Sequence, residues 1–153
     1  NESARLWDRR PEKVVGIPND VAAAPLWILG GDAAVRAIVT WHFGWTPANT
    51  TARLQVWGLP LLAQMLTDPY AAVRAIAGRS LRVFEGMSDV TFDFVGTAES
   101  RKNAARTVVE KWKARSGDVV EPLGLISPAG QVDQQNYRRL LQKRDTRPVS
   151  VAE

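Results

Sequence analysis

The residues best suited to chemistry are a histidine and two tryptophans in the first half of the chain. His42 is the only histidine, and Trp41 and Trp45 flank it. An imidazole can ligate a haem iron or another metal, and indoles can stack on bases, on a haem plane or on a protein partner. A structural interpretation competes with each role. In that interpretation His42 hydrogen-bonds locally at the edge of an apolar face, and the tryptophans fill gaps between helices.

Two arginines stand in identical local sequences. The pentapeptide Ala-Val-Arg-Ala-Ile occupies residues 34–38 and again 72–76, an offset of 38 residues (74 minus 36). Their planar guanidinium groups could bind phosphate or propionate groups, while the repeated position predicts salt bridges between neighbouring repeats. The candidate haem ligand is therefore His42, and the candidate interaction residues are Trp41, Trp45, Arg36 and Arg74.

The composition excludes several kinds of site. The 153 residues contain no cysteine, which rules out disulfides, thiolate zinc sites and covalent haem attachment within them. A hydrophobic fraction of 45% and a charged fraction of 24% are typical of a globular chain, and no apolar run is long enough for a membrane span. The net charge of +4 permits anionic partners but is a weak indication of nucleic acid. The carboxylates show no pairing typical of acid–base catalysis, so we expect no enzyme activity.

Capping residues and helical periodicity predict an all-α chain. Asp20 is the predicted N-cap of a helix stopped by Gly30 and Gly31, and Asp32 is the predicted N-cap of a helix that ends at Gly44. The predicted buried face of this second helix consists of Val35, Ile38, Val39, His42 and Phe43.

The next segment contains two helix-disrupting residues. We predict a loop over residues 45–49 and then a helix over residues 51–66. Gly58 and Pro60 should kink or divide this helix, because proline has no N–H to donate and its ring crowds the preceding turn.

The second half of the chain predicts three further helices and a loop. Asp68 and Pro69 begin a helix with the predicted buried face Val73, Ile76, Ala77, Ser80, Leu81 and Phe84. Residues 85–96 are predicted to form a loop that docks its two phenylalanines, with a short extended segment as the alternative. A helix over residues 98–115 follows, with an apolar stripe that ends at Trp112 and a basic solvated surface. A final short helix, capped by Asp133, runs to Lys143 and packs through Tyr137, Leu140 and Leu141.

These paired helices, with an aspartate at the turn and Val-Arg early in the second helix, resemble HEAT repeats over residues 20–84. Residues 98–115 resemble a degenerate closing helix. In that family the aspartate caps the second helix and the arginine contacts the neighbouring repeat's turn. The resemblance assigns these roles to Asp32 with Arg36, and to Asp68 with Arg74. It implies a short α–α superhelix over residues 20–115. An irregular lead-in over residues 1–19 would pack on a neighbouring domain, and residues 116–153 would form a linker, a short helix and a tail.

A closer resemblance concerns residues 37–45, residues 68–82 and the run of residues 144–149. Together they are similar to the HEAT-type domain that follows a multihaem cytochrome c module in some bacterial proteins. The resemblance implies the carboxy-terminal part of a periplasmic or extracellular electron-transfer protein, with haem c in an adjoining domain and no cofactor in this segment. The start without methionine fits such a segment. Because the haem-attaching motifs are absent here, the resemblance implies a setting rather than an activity.

Three functions follow from these observations. The leading one is a non-catalytic interaction or scaffold domain, whose partner is the adjoining cytochrome domain or another protein subunit. The alternative is a HEAT-like nucleic-acid-binding protein or alkylpurine DNA glycosylase, which the six tryptophans and the positive charge favour. Against it, the basic residues cluster on one late helix instead of lining both repeats. A chromophore lyase is a third class, supported only by the fold.

Overall fold

The computed structural model describes residues 23–116 and 134–146. Within these two stretches the regular secondary structure is helical and no strand occurs, which confirms the all-α prediction. The helices are α1 (Ala23–Gly30), α2 (Ala33–Phe43), α3 (Thr46–Thr51), α4 (Leu54–Met65), α5 (Ala71–Leu81), α6 (Ala98–Ser116) and α7 (Gln134–Gln142). The predicted caps Asp20 and Asp133, the lead-in over 1–19 and the linker over 119–132 lie outside the described residues.

Helix α2 has the predicted ends but a different buried face. The Asp32 carboxylate accepts a hydrogen bond from the Val35 amide at 2.8 Å, and Gly44 ends the helix. The buried residues are Ala33, Arg36, Thr40 and Phe43, whereas Ile38 is 55% exposed. The predicted face was therefore wrong for Ile38, whereas Phe43 is buried as predicted and Val39 packs against the core. The helix can bury Arg36 because this guanidinium has an ion-pair partner inside the protein.

The next two helices differ from the loop and the interrupted helix that were predicted. Residues 46–51, predicted mostly as loop, form α3. Arg53 separates α3 from α4, and its φ of 53° and ψ of 39° are left-handed. Pro60 lies inside α4 without dividing it. Since proline has no N–H, the Val56 carbonyl one turn earlier lacks its usual helical donor. The Trp112 indole N–H of α6 donates to this carbonyl at 2.7 Å.

Helix α5 packs against α2, so the two copies of the pentapeptide lie on neighbouring helices. The predicted buried positions Val73, Ala77, Ser80, Leu81 and Phe84 are buried, and Ile76 is half-buried. The Ser80 hydroxyl donates to the Thr40 carbonyl at 2.9 Å. The approach is so close that a Cβ on Gly44 would lie 2.5 Å from Ser80 Oγ.

The remaining elements close the core. The loop between α5 and α6 contains no strand, as predicted; its Phe92 packs against the core, whereas Phe94 is exposed. Helix α6 lies on α4 and buries Ala104, Val108 and Trp112. Helix α7 lies on α1 and buries Leu140. In the two described stretches, no helix combines the length and the apolar character needed to cross a membrane.

Candidate interaction surface

The structure separates the four candidate interaction residues into an exposed pair and a buried pair. The side chains of Trp41 and Trp45 are about half exposed, at 50% and 49%, while Arg36 and Arg74 are buried. The predicted gap-filling role applies instead to two other tryptophans, Trp57 and Trp112, which are buried in the core.

The exposed tryptophans belong to an apolar row that follows α2 and continues just past its end, which we call the tryptophan ladder: Ala34, Ile38 and Trp41 on α2, and Trp45 after the C-cap Gly44. All four residues are exposed. The indole rings of Trp41 and Trp45 lie nearly parallel, with an interplanar angle of 11° and centroids 6.4 Å apart. At about 100° per residue, the three ladder residues on α2 lie roughly 100–160° around the helix from Thr40, whose carbonyl accepts a hydrogen bond from Ser80 of α5. The ladder therefore faces away from α5.

His42 supports the two indoles from the side. Its ring is nearly perpendicular to both, with centroid distances of 5.0 Å to Trp41 and 6.1 Å to Trp45. Its Nδ1 lies 2.8 Å from the Ile38 carbonyl oxygen, which confirms the predicted local hydrogen bond. Because a carbonyl oxygen only accepts, Nδ1 is the donor of this hydrogen bond. The bond leaves Nε2 as the ring nitrogen that could reach a metal, although the described residues contain no group of three or more His, Cys, Asp or Glu side chains able to hold a metal ion.

The ladder lies in a stretch of chain without exposed formal charge. Residues 33–52 contain no aspartate, glutamate or lysine, and their one arginine is the buried Arg36. The centres of protein–protein interfaces are depleted in charged residues and enriched in tryptophan. The ladder has both properties.

Behind the ladder, Arg36 forms a fully buried ion pair with Asp68. Arg36 Nε lies 2.8 Å from Asp68 Oδ2, and Nη2 lies 3.1 Å from Oδ1. The third nitrogen, Nη1, donates to the carbonyls of Gly31 at 2.7 Å and Asp145 at 3.0 Å. Arg36 therefore forms a salt bridge, as predicted, and its partner lies in the turn before α5. Four of its five N–H groups are bonded internally and the side chain is fully buried, so Arg36 is not accessible to a phosphate or propionate group.

Asp68 has a different role from the predicted helix cap. Tyr70 is the N-cap of α5, and no side chain caps this helix. The Asp68 carboxylate instead accepts from the Tyr70 amide at 2.9 Å and lies 3.4 Å from Arg144 Nη1. Burial lowers the pKa of Arg144, an effect that Asp68 opposes and Arg36 reinforces. One buried carboxylate thus contacts two guanidinium groups.

Arg74 does not repeat the geometry of Arg36. Its Nη1 donates to the carbonyls of Asp68 at 2.7 Å and Pro69 at 2.8 Å, and its Nε donates to the Phe94 carbonyl at 2.7 Å. Arg74 therefore links the turn before α5 to the loop before α6. Burial lowers the pKa of Arg74, and the nearby Arg101 lowers it further.

Part of the basic surface of α6 is engaged in local pairs. Lys111 lies 2.7 Å from Asp89, and Arg115 lies 3.1 Å from Glu85. The hydrogen bond from Lys111 lowers the pKa of the Asp89 carboxyl. These pairs are exposed, and such pairs contribute little to stability. They do reduce the charge that α6 presents to an anionic partner.

Two features of this region were missed by the sequence reasoning. Ile38 was placed in the core, although its spacing of three residues to Trp41 and seven to Trp45 would have grouped it with the ladder. The contact of Arg144 with Asp68 had no sequence signal, since 76 residues (144 minus 68) separate them. No protein-family model matches the chain, and neither do any curated protein or solved structure.

Proposed function

We propose that this chain is a non-catalytic interaction module that docks on an adjoining domain or subunit through the tryptophan ladder. The observation that carries the proposal is the pair of parallel, half-exposed indoles in a stretch of chain, residues 33–52, that exposes no formal charge. Tryptophan is enriched among the residues that dominate binding energy, where truncation to alanine typically costs about 2 kcal/mol or more. A protein partner that covers this row would remove a large apolar area from water.

A HEAT-like helical repeat is the arrangement we propose for the module. Three observations support it: the 38-residue offset between the two pentapeptides, the packing of α2 on α5, and the ion pair from Arg36 to Asp68 at the start of the next repeat. In a repeat protein each unit contacts mainly its neighbours, and the end units need a cover. A partner on α2 would supply such a cover.

The partner we propose is a multihaem c-type cytochrome module involved in electron transfer, in the periplasm or outside the cell. The support is the resemblance of residues 37–45, 68–82 and 144–149 to the domain that follows such modules. The haem c would belong to the partner, and this chain would hold and orient it.

A nucleic-acid partner has less support than a protein partner. Stacked indoles suit a nucleobase, but phosphate contacts supply most of the affinity for nucleic acid. The stretch that carries the ladder has no exposed formal charge, and Lys111 and Arg115 on α6 already pair with carboxylates.

A photo-crosslinking experiment tests this function in the intact protein. Trp41 is replaced by p-benzoylphenylalanine in the source cells, and the products are separated under denaturing conditions and stained for covalent haem. We expect crosslinking to a haem-bearing polypeptide segment. The same probe at Val95, which is 67% exposed in the loop before α6, is the matched control.

The outcomes separate the two parts of the proposal. A crosslinked partner without haem would refute the cytochrome setting and leave the interaction role in place. Equal crosslinking from positions 41 and 95 would refute the interaction role itself.

A further inference from the structure

We infer that the occupant of the tryptophan ladder is a single amphipathic α-helix from another polypeptide segment, lying along α2 on the side away from α5. This inference rests on the proposed function and deepens it, because it states the shape and the chemistry of the partner. It is carried by the spacing of the ladder, by the packing of α2, and by the area and charge of the exposed row.

The spacing of the ladder matches a helix–helix contact. On α2 itself, Ala34, Ile38 and Trp41 are separated by four and three positions, which is the seam spacing by which one helix packs along another. Ala34 at one end permits close approach. At the other end the indole of Trp45, which follows the C-cap Gly44, stacks on that of Trp41 and widens the row. From Ala34 to Trp41 the seam advances seven residues, or roughly 10 Å along the helix axis.

The packing of α2 shows that it already supports a helix on one side. There it contacts α5 along a row of small or internally paired residues: Arg36, Thr40 and Gly44. On the other side, Ile38, Trp41 and Trp45 remain about half exposed, so no described element covers them. A second helix on this side would continue the layer of helices that α2 and α5 begin.

The area and charge of the row define the partner's chemistry. Three large side chains, each about half exposed, offer about 350 Å² of apolar surface. A stable dimer typically buries about 800 Å² on each partner, so a second copy docking through the ladder alone falls short. A single helix fits an area of this size, as in helix-in-groove recognition. With no formal charge exposed on residues 33–52, the contacting face of that helix must be apolar.

Crosslinks from successive rungs of the ladder test the helical shape of the occupant. In the intact protein, p-benzoylphenylalanine replaces Ile38, Trp41 or Trp45 one at a time, and mass spectrometry identifies the partner residue that each position captures. Across the 6.4 Å between the ring centroids of Trp41 and Trp45, a helical partner advances about four residues and an extended one about two. We expect steps of three or four residues, in one direction, along one partner sequence.

Two comparisons complete the test. A probe at Val95 should give at least fivefold less crosslinked product. A proline in the middle of the mapped partner segment should reduce the yield from position 41 at least tenfold, because it interrupts a helix.

Failure of the inference and failure of the proposed function give different results. Steps of one or two residues, captured residues scattered over distant segments, or capture of residues 34–45 of a second copy would overturn the helical occupant. The interaction role would then stand. If positions 38, 41 and 45 all give no more product than position 95, both proposals fall.

Discussion

At the scale of single residues, the buried pair of Arg36 and Asp68 determines how α2 meets the start of α5. Removing two charges from water is costly, and their attraction offsets this cost only when the geometry is good and the other donors are satisfied. Both conditions hold, because the contact is bidentate and Arg36 Nη1 reaches two carbonyls. The second guanidinium, that of Arg144, makes the pair asymmetric: Asp68 has two cationic neighbours.

This asymmetry predicts unequal costs of substitution. We expect Asp68→Asn to lower the free energy of unfolding by about 3–5 kcal/mol, because two buried guanidinium groups lose their counter-charge. Arg36→Met should cost about 1–3 kcal/mol, since Arg144 still neutralises Asp68 and methionine refills most of the volume. Urea unfolding of the purified protein measures both costs. A larger cost for Arg36→Met than for Asp68→Asn would contradict the role given to Arg144.

At the scale of elements, α4 and α6 are joined by a hydrogen bond to the backbone carbonyl that Pro60 leaves without its helical donor. The Val56 carbonyl lies one helical turn before Pro60 and accepts from the Trp112 indole at 2.7 Å. A proline inside a helix usually costs stability because of the lost hydrogen bond and a steric clash. Here the carbonyl that loses its bond within α4 makes a contact between helices instead, and α4 continues through the point where a kink or a division was predicted.

This contact predicts that the effects of two substitutions depend on each other. Trp112→Phe should lower the free energy of unfolding by about 1–3 kcal/mol, because the buried Val56 carbonyl loses its donor. In a Pro60→Ala background the cost should be smaller by about 0.5 kcal/mol or more, on the usual scale of coupling between contacting residues. The reason is that this substitution restores a backbone N–H at position 60, which can supply the bond.

Trp57→Phe is the matched control for this pair. Its indole N–H donates to the Ala52 carbonyl at 2.8 Å, which the residue at position 60 does not affect. Trp57→Phe should therefore cost the same in both backgrounds. A double-mutant cycle from denaturant unfolding measures the coupling. If the costs of Pro60→Ala and Trp112→Phe are additive, the Trp112 indole does not replace the N–H that Pro60 lacks.

At the scale of the whole molecule, α7 and the residues after it bring the end of the described chain back to its beginning. Arg36 Nη1 donates to the Asp145 carbonyl, Arg144 Nε donates to the Leu29 carbonyl, and Leu140 is buried. The Tyr137 hydroxyl donates to Gln64 Oε1 at 2.8 Å. These contacts join residues more than 70 positions apart, so the docking of α7 requires the rest of the core to be formed.

The buried phenol of Tyr137 predicts a loss of stability at alkaline pH. Burial raises the pKa of Tyr137 from 10.0 to about 12, so the folded protein keeps a proton that the unfolded chain releases. The free energy of unfolding should therefore be unaffected by this group below about pH 10 and should fall as the pH rises from 10 to 12. Tyr137→Phe should remove this decline, at a cost of about 1 kcal/mol below pH 10 for the lost hydrogen bond, and this cost should shrink as the pH rises above 10.

Denaturant unfolding between pH 8 and pH 12 checks this prediction. Tyr70, the other tyrosine of the chain, provides the comparison. Tyr70→Phe should keep the alkaline decline in full. An unchanged decline in Tyr137→Phe would mean that another group causes it.

By itself the sequence determined the local features. Asp32 and Gly44 predicted both ends of α2, and the periodicity of residues 98–115 predicted α6 to within one residue. These signals were reliable because caps and helical periodicity act over three or four residues. The 38-residue repeat likewise identified α2 and α5 as related helices, and the structure packs them together.

Only the tertiary structure decided which surfaces are buried and which are exposed. Arg36 can be buried because Asp68, 32 residues later in the sequence, forms an ion pair with it inside the core. The burial of Arg36 places Ile38 and Trp41 at the surface. Pro60 could stay inside α4 because Trp112 supplies the missing donor from α6. In each case the deciding partner is distant in sequence, and no local pattern records whether a polar group will meet its partner inside the fold. The exposure of the tryptophan ladder follows from that buried ion pair.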